Sequence, residues 1–246
     1  MRAALRRRDR VGEISFGGWS SFFGKFFRAA NYHFPALESL ELDFPIDQEL
    51  DIPATFLRGP DQSGLPLRRF RLYDATLASV TGLLLSAAAL TDLTLTLKVN
   101  SNAAVFDPSQ GSFLLDCLQG MQFLCSLDLT TSNNHPDHQS QHATSKDIQV
   151  VSLLKLTCFC YFGSPMFLNN FMSRLSAPSL QDVRFVLFSG FPLSYLSQVI
   201  DDVREEFLSV SITSNMDQFR LESWIHTKKI DHFKPSFRFN VILPLN

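Results

Sequence analysis

The sequence has no long apolar run: nowhere do the roughly 18 consecutive apolar residues occur that would span a bilayer. It has little net charge, −2 from 22 basic and 24 acidic residues, so nothing in its electrostatics points to nucleic acid or an anionic membrane as a partner. Cysteine is scarce, with only Cys117, Cys125, Cys158 and Cys160, and no C-x-x-C pair occurs. Zinc sites ordinarily need two tight pairs; here Cys158 and Cys160 form one, spaced to lie on the same face of a strand. These are expected to be reduced thiols of an intracellular protein, cytoplasmic or nuclear. The Arg-rich start (Arg2, Arg6, Arg7, Arg8, Arg10) is not followed by an apolar h-region, which argues against a secretory signal. Residues 1–10 read instead as a solvated tail, or as a start placed inside a longer gene. Motifs of catalysis are missing as well. There is no G-x-G-x-x-G turn, no phosphate-cradling G-x-x-x-x-G-K-[ST] and no G-x-S-x-G elbow. The expectation is a chain with no catalytic site, no metal and no cofactor.

What the sequence does have is phenylalanine and a repeat. Two Trp and four Tyr stand against 24 Phe, side chains with a large apolar payload and no polar handle. That implies a thick core or a surface shared with another molecule. The pattern L-x-x-L-x-L occurs at Leu37/Leu40/Leu42, Leu90/Leu93/Leu95 and Leu124/Leu127/Leu129, and with one swap at Leu67/Phe70/Leu72. Looser forms are Leu156/Phe159/Tyr161, Leu180/Val183/Phe185 and Phe207/Val210/Ile212. Successive starts are 30, 23, 34, 32, 24 and 27 residues apart, near the 20–29 of leucine-rich repeats. Positions four and six of each hexad point to one side of a short strand, and position one fills the same interior from the preceding turn.

Stretches between the hexads read as short amphipathic helices: residues 78–89, 108–121, 165–177 and 192–203, three with a proline near the first turn. Residues 52–59 suit a single helical turn. The spacing predicts an irregular α/β leucine-rich-repeat solenoid, a horseshoe with a parallel sheet on its concave side and helices and loops outside. The division is 1–33, an N-terminal tail with a partial repeat helix (residues 19–30, aromatic on one side), and 34–246, about seven irregular units. No polar capping repeat follows the apolar run at residues 237–243. Residues 130–146 (TTSNNHPDHQSQHATSK) read as a protruding loop; its His135, His138 and His142, near Asp137, suit a solvated loop better than a zinc site.

Residues between the buried hexad positions line the predicted concave face. The candidates for binding are Glu41, Asp43, Arg69, Arg71, Tyr73, Asp92, Thr94, Asp128, Cys158, Cys160 and Arg184. Ser209, Ser211 and Thr213 are the contribution of the seventh unit. Arg69, Arg71 and Tyr73 make the strongest anchor, because guanidiniums pair bidentately with carboxylate or phosphate and sit well beside aromatic rings. An acidic or phosphorylated segment of a protein is the natural ligand.

The phrases FPALESLEL (34–42), LLLSAAALTDLTLTL (83–97), FLLDCLQGMQFLCSLDL (113–129) and APSLQDV (177–183), with the late stretch 219–239, resemble the repeat region of fungal F-box/leucine-rich-repeat proteins. The resemblance spans roughly residues 34 to 240. It implies that the repeats hold the substrate of a ubiquitin ligase. It also implies that an F-box, matched nowhere in this chain, would dock on the cullin-ligase adaptor from upstream. The asparagine that regular repeats carry at their ninth position is replaced by Pro45, Ala75, Lys98, Ser132, Ser164 and Phe188, so the solenoid is expected to be irregular. Alternatives are the repeat domain of another intracellular scaffold or receptor, or a truncated gene product without independent function.

Overall fold

The computed structural model describes residues 7–18, 20–30, 32, 34–44, 52–53, 56–57, 66–98, 109–132, 150–187, 207–215, 218–225 and 237–244. A hexad with apolar residues at positions four and six has a strand's period of two, and that is what each of the first six becomes. They lie in β2 (Ser39–Asp43), β3 (Arg69–Ala75), β4 (Asp92–Lys98), β5 (Ser126–Ser132), β7 (Cys158–Gly163) and β9 (Asp182–Leu187). Ahead of them comes β1 (Glu13–Gly17), and after them β10 (Phe207–Asn215), β11 (Gln218–Ile225) and β12 (Phe237–Pro244). All belong to one open sheet in the order β1-β2-β3-β4-β5-β7-β9-β12-β11-β10. The first seven run parallel in chain order and in register. Position-four residues Leu40, Phe70, Leu93, Leu127, Phe159 and Val183 form one buried row, and position-six residues Leu42, Leu72, Leu95, Leu129, Tyr161 and Phe185 another.

The backbone repeats as closely as the side chains. Before each of five strands a tight turn is closed by a 3.1–3.2 Å bond from the position-one N–H, running Leu37→Phe34, Leu90→Ala87, Leu124→Met121, Leu156→Leu153 and Leu180→Ala177. Phe34, Ala87, Met121 and Leu153 at the turn origins are buried. The carbonyl at position two then accepts two N–H groups from the next pass of the chain. The oxygens of Gly12, Glu38, Arg68, Thr91, Cys125 and Thr157 each do so, at 2.8–3.0 Å. Two threonines reinforce this ladder with their hydroxyls, Thr91 to the Arg68 carbonyl and Thr157 to the Cys125 carbonyl, both at 3.1 Å.

Helices α1 (Ser20–Ala29), α2 (Leu77–Ser86), α3 (Ser109–Leu118) and α4 (Pro165–Met172) pack on the buried side of the sheet. In α1 the helical spacing of Phe23, Phe26 and Phe27 turns one stripe inward, where they meet Phe16, Phe44 and Phe56 ring to ring. A second cluster joins Phe159, Tyr161, Phe167, Phe171 and Phe185. The abundant phenylalanine thus thickens the layer between strands and helices. Tyr161 keeps its hydroxyl satisfied in this layer: it donates to the Ser164 carbonyl at 2.9 Å and shares a 2.9 Å bond with Thr131 Oγ1. Gly163 closes over this pair, with φ at 157° and a position where any Cβ would collide with Thr131 Oγ1 and Tyr161 Oη.

The α/β class and the mostly parallel sheet match the expectation from sequence, and helices form where three of the four interhexad stretches predict them. Three points correct it. The segment before residue 34 supplies a strand as well as a helix: Val11/Ile14/Phe16 is a further hexad, and β1 pairs parallel with β2. The hexad Phe207/Val210/Ile212 does not continue the parallel series. Its strand, β10, pairs antiparallel with β11 at the far edge. Only Met216 and Asp217 separate those strands, far short of the dozen or more residues that a parallel crossover needs. The place beside β9 goes to β12, whose Phe239 and Val241 align with Val183 and Phe185. Finally, β6 (Val151–Ser152) and β8 (Leu175–Ser176) form a small second sheet that no pattern announced, the latter inside the stretch expected to be helix. The helix expected at 192–203 and the histidines of the 130–146 loop lie outside the described residues. The first part of that loop stretch, Thr130–Ser132, belongs to β5.

Leu127 is fully buried in the middle of the sheet. Leu127→Ala is expected to lower unfolding free energy by about 2–5 kcal/mol, while Thr94→Ala, on the opposite face of the adjacent strand, changes it by about 0.5 kcal/mol or less. Urea titration followed by circular dichroism measures both. Equal losses would mean that the two faces are not distinguished by burial.

Candidate functional site

Burying one face of a pleated strand leaves its other residues on the opposite face. Register then sets them side by side, roughly 4.8 Å apart from strand to strand. The first row runs Glu13, Ser39, Arg69, Asp92, Ser126, Cys158, Asp182, and the second Ser15, Glu41, Arg71, Thr94, Asp128, Cys160, Arg184. The third sets Asp43 beside Tyr73 and aligns Thr96, Thr130, Phe162 and Val186. None of these side chains is buried, whereas the alternating hexad residues of β2 to β9 are. All eleven candidate residues therefore share one face.

Sequence reasoning missed Glu13 and Ser15, which extend the rows by one strand, though the Val11/Ile14/Phe16 spacing carried the signal. It also missed Arg238, Asn240 and Ile242 of β12, which take the register positions beside Asp182, Arg184 and Val186. Ser209, Ser211 and Thr213 stand three strands from β9, separated from it by β12 and β11.

Charges divide this face into two unlike parts. Toward β2, Arg71 lies 3.8 Å from Glu41, a long separation between two side chains that are 57% and 35% exposed. An ion pair of that kind is worth about 0–1 kcal/mol, so it leaves the guanidinium open to another anion. Arg69 makes no ion pair with any described residue. A bulge in β3 sits next to Tyr73, with Asp74 at φ 58° and the Phe44 N–H donating to the Tyr73 carbonyl at 3.1 Å. Toward β9, Arg184 is already engaged: Asp182 accepts from its Nη2 at 3.0 Å and from its Nε at 3.4 Å.

Between these parts lie Asp128 and the two thiols. Burial raises the Asp128 carboxyl above the ordinary carboxylate range. The Cys158 thiol is lowered, chiefly by its neighbour Cys160 on the same face of β7, with help from Arg184 and Ser126 and against burial and Asp182. Cys160 is shifted the other way, raised by Cys158 and by burial. Cys117 belongs to the core instead, where burial and Asp116 push its thiol up to about 11. No group of three or more His, Cys, Asp or Glu side chains converges as a metal site among the described residues. No described helix is long and apolar enough to cross a membrane.

The raised Asp128 has a consequence for pH dependence. Above its folded-state pKa the native protein bears the cost of charging a half-buried carboxylate, and the unfolded chain does not. Asp128→Asn is therefore expected to raise the melting temperature at pH 7. The gap should shrink as pH falls through the folded and then the unfolded pKa, where Asp128 is neutral in both states. Thermal melts from pH 7 to 3 check this; a variant less stable than the parent at pH 7 would show that the carboxylate is held by favourable partners.

Compared with protein-family models, with curated proteins and with solved structures, the chain matches none.

Proposed function

We propose that this chain is a protein-interaction module, an irregular leucine-rich-repeat solenoid whose open sheet face grips an extended acidic or phosphorylated segment of a partner. The observation that carries the reading is the separation of roles across the sheet. One face is filled by hexad side chains in register, while the other presents continuous rows of polar, charged and aromatic residues with nothing from the described chain packed over them. Repetition of the same turn and the same shared-carbonyl bond at successive passes supports a solenoid, since stacked units bury their edges against their neighbours.

Arg69, Arg71 and Tyr73 are the anchor. Arg184 serves less well because Asp182 already holds its guanidinium through two hydrogen bonds. Anchors of Arg and Tyr are also the residue types that dominate protein interfaces. The near-zero net charge favours a protein over nucleic acid or a membrane surface. Its work is binding rather than catalysis. The resemblance of residues 34–240 to the repeats of fungal F-box proteins supports a more specific role, recognition of substrate for a ubiquitin ligase. Contact with the cullin-ligase adaptor would then fall to an F-box joined upstream.

The test is charge reversal at the anchor. Fluorescence anisotropy with labelled Asp/Glu-rich and phosphoserine peptides is expected to show binding that weakens about tenfold or more in Arg69→Glu/Arg71→Glu, with the melting temperature unchanged. Affinity should also fall with rising salt, as for any exposed charge contact. Unchanged binding in the double variant contradicts the reading, as does a parent protein that binds neither peptide class.

A further inference from the structure

We infer that this chain associates with a second copy of itself head to tail, the free edge of β10 in one copy adding as a parallel strand to the free edge of β1 in the next. Neither edge includes the Arg69/Arg71 anchor, and the association does not depend on what that anchor binds.

β1 ends the sheet on one side, with β2 as its partner and no described strand beyond it. The Ser39 N–H donates to the Gly12 carbonyl at 3.0 Å, and backbone groups of alternate residues turn to opposite sides. Ile14 and Phe16 therefore direct theirs to β2, while the N–H and C=O of Glu13, Ser15 and Gly17 point outward. At the entry to β2, β3, β4, β5, β7 and β9, the N–H groups at positions two and three share one carbonyl of the previous pass. The equivalent pair, Gly12 and Glu13, finds no such carbonyl among the described residues. The apolar rows stop here as well: Ile14 and Phe16 are half-buried, whereas their neighbours Leu40 and Leu42 are fully buried. Phe26 stacks on Phe16 at 4.1 Å and Phe23 meets it edge-on at 4.9 Å, so the last rung is a fixed apolar shelf.

β10 ends the sheet on the other side, with β11 as its partner and no described strand beyond it. It is antiparallel to β11, β11 is antiparallel to β12, and β12 is parallel to β9, so β10 runs in the same direction as β1. Register carries the face across these strands. Val210 aligns through Ser223 and Phe239 with Val183, and Ile212 through Leu221 and Val241 with Phe185. Val210 and Ile212 thus hold places in the same two rows that Ile14 and Phe16 end. The two-residue connection makes Asn215 and Gln218 a hydrogen-bonded pair. Alternation then directs the backbone of Thr213 and Ser211 to β11, and that of Val210, Ile212 and Ser214 outward.

The two edges fit in one register. With Val210 level with Ile14 and Ile212 level with Phe16, the Ser15 N–H meets the Val210 carbonyl and the Gly17 N–H the Ile212 carbonyl. The carbonyls of Glu13, Ser15 and Gly17 meet the N–H groups of Val210, Ile212 and Ser214, and Leu208, at position two, offers the carbonyl for Gly12 and Glu13. The sequences that lead into the two strands are of opposite charge. Residues 201–206 (DDVREE), just ahead of β10, hold four carboxylates and one guanidinium, and residues 7–10 (RRDR), ahead of β1, hold three guanidiniums and one carboxylate. Arg7, Arg8 and Arg10 are exposed. Parallel pairing sets these two flanks at the same end. Two β1 edges, by contrast, pair antiparallel about a twofold axis, give Gly12 and Glu13 no shared carbonyl and bring no acidic flank. The β10-to-β1 contact is heterologous, so each assembly keeps a free edge of each kind until a ring closes.

Sedimentation velocity of the full chain over a micromolar concentration series is expected to show dimers that grow into larger assemblies, and assemblies that shrink as salt rises. Ser15→Pro and Ile212→Pro each remove an outward N–H that the chain's own sheet does not use. Each variant is expected to keep the parent's circular dichroism spectrum and to stay monomeric. Mixed, they retain one good edge of each kind, β10 from Ser15→Pro and β1 from Ile212→Pro, and are expected to form a dimer that grows no further. Where a proline variant does not fold, charge reversal takes its place. Self-association is then expected to be about tenfold weaker in Glu205→Lys/Glu206→Lys and to be restored by mixing with Arg8→Glu/Arg10→Glu. A parent that stays monomeric, a symmetric dimer that does not grow, self-association unaffected in a folded Ser15→Pro protein, or folded complementary variants that fail to associate when mixed would each overturn the inference.

Discussion

The core between β1 and β9 depends on strands stacking in register along one parallel ladder. A five- to seven-residue strand with two apolar side chains on one face cannot bury them alone. It buries them only when the strands on either side present the same residue type at the same height. The shared-carbonyl bonds enforce that height. Each position-two oxygen takes two N–H groups from the next pass of the chain, so a slip by one residue would break both bonds and also turn every hexad leucine to the open face. Side-chain packing and backbone hydrogen bonding thus demand the same register.

The open face is a by-product of that demand. Because the period is two, residues between the hexad positions are released from packing, and their identity can vary without cost to the core. They vary widely here: acid beside base near β2 and β3, hydroxyls on β4, and an acid with two thiols and a bridged arginine on β5 to β9. Strength of engagement separates them. The exposed Arg71–Glu41 contact is too long and too hydrated to occupy the guanidinium, whereas Asp182 holds Arg184 at hydrogen-bond distance. Two arginines of the same chemistry therefore have different availability.

Much of this was legible in the sequence. The six hexads from Leu37 to Phe185 carry strand, direction and burial together, because a period of two with a repeat near 30 residues leaves few other ways to bury the leucines. Val11/Ile14/Phe16 was equally legible and was missed because residues 1–33 were read as a tail and a partial helix ahead of the first unit. Phe207/Val210/Ile212 misled differently: the pattern fits a strand but does not say which strand lies beside β9, and the two-residue connection to β11 makes an antiparallel hairpin of it. The eleven face residues follow from alternation alone. Their interactions do not, since whether an arginine is free depends on side-chain distance.

Burial, the open face and the placement of the two thiols all require the parallel register. Nuclear Overhauser contacts between backbone protons, in protein labelled with ¹⁵N and ¹³C, measure it most directly. The prediction is interstrand contacts of parallel pattern linking Leu93 to Leu127, Leu127 to Phe159 and Phe159 to Val183, with slow amide exchange at those positions. Antiparallel contacts between any two of these strands, or fast exchange throughout them, would contradict it.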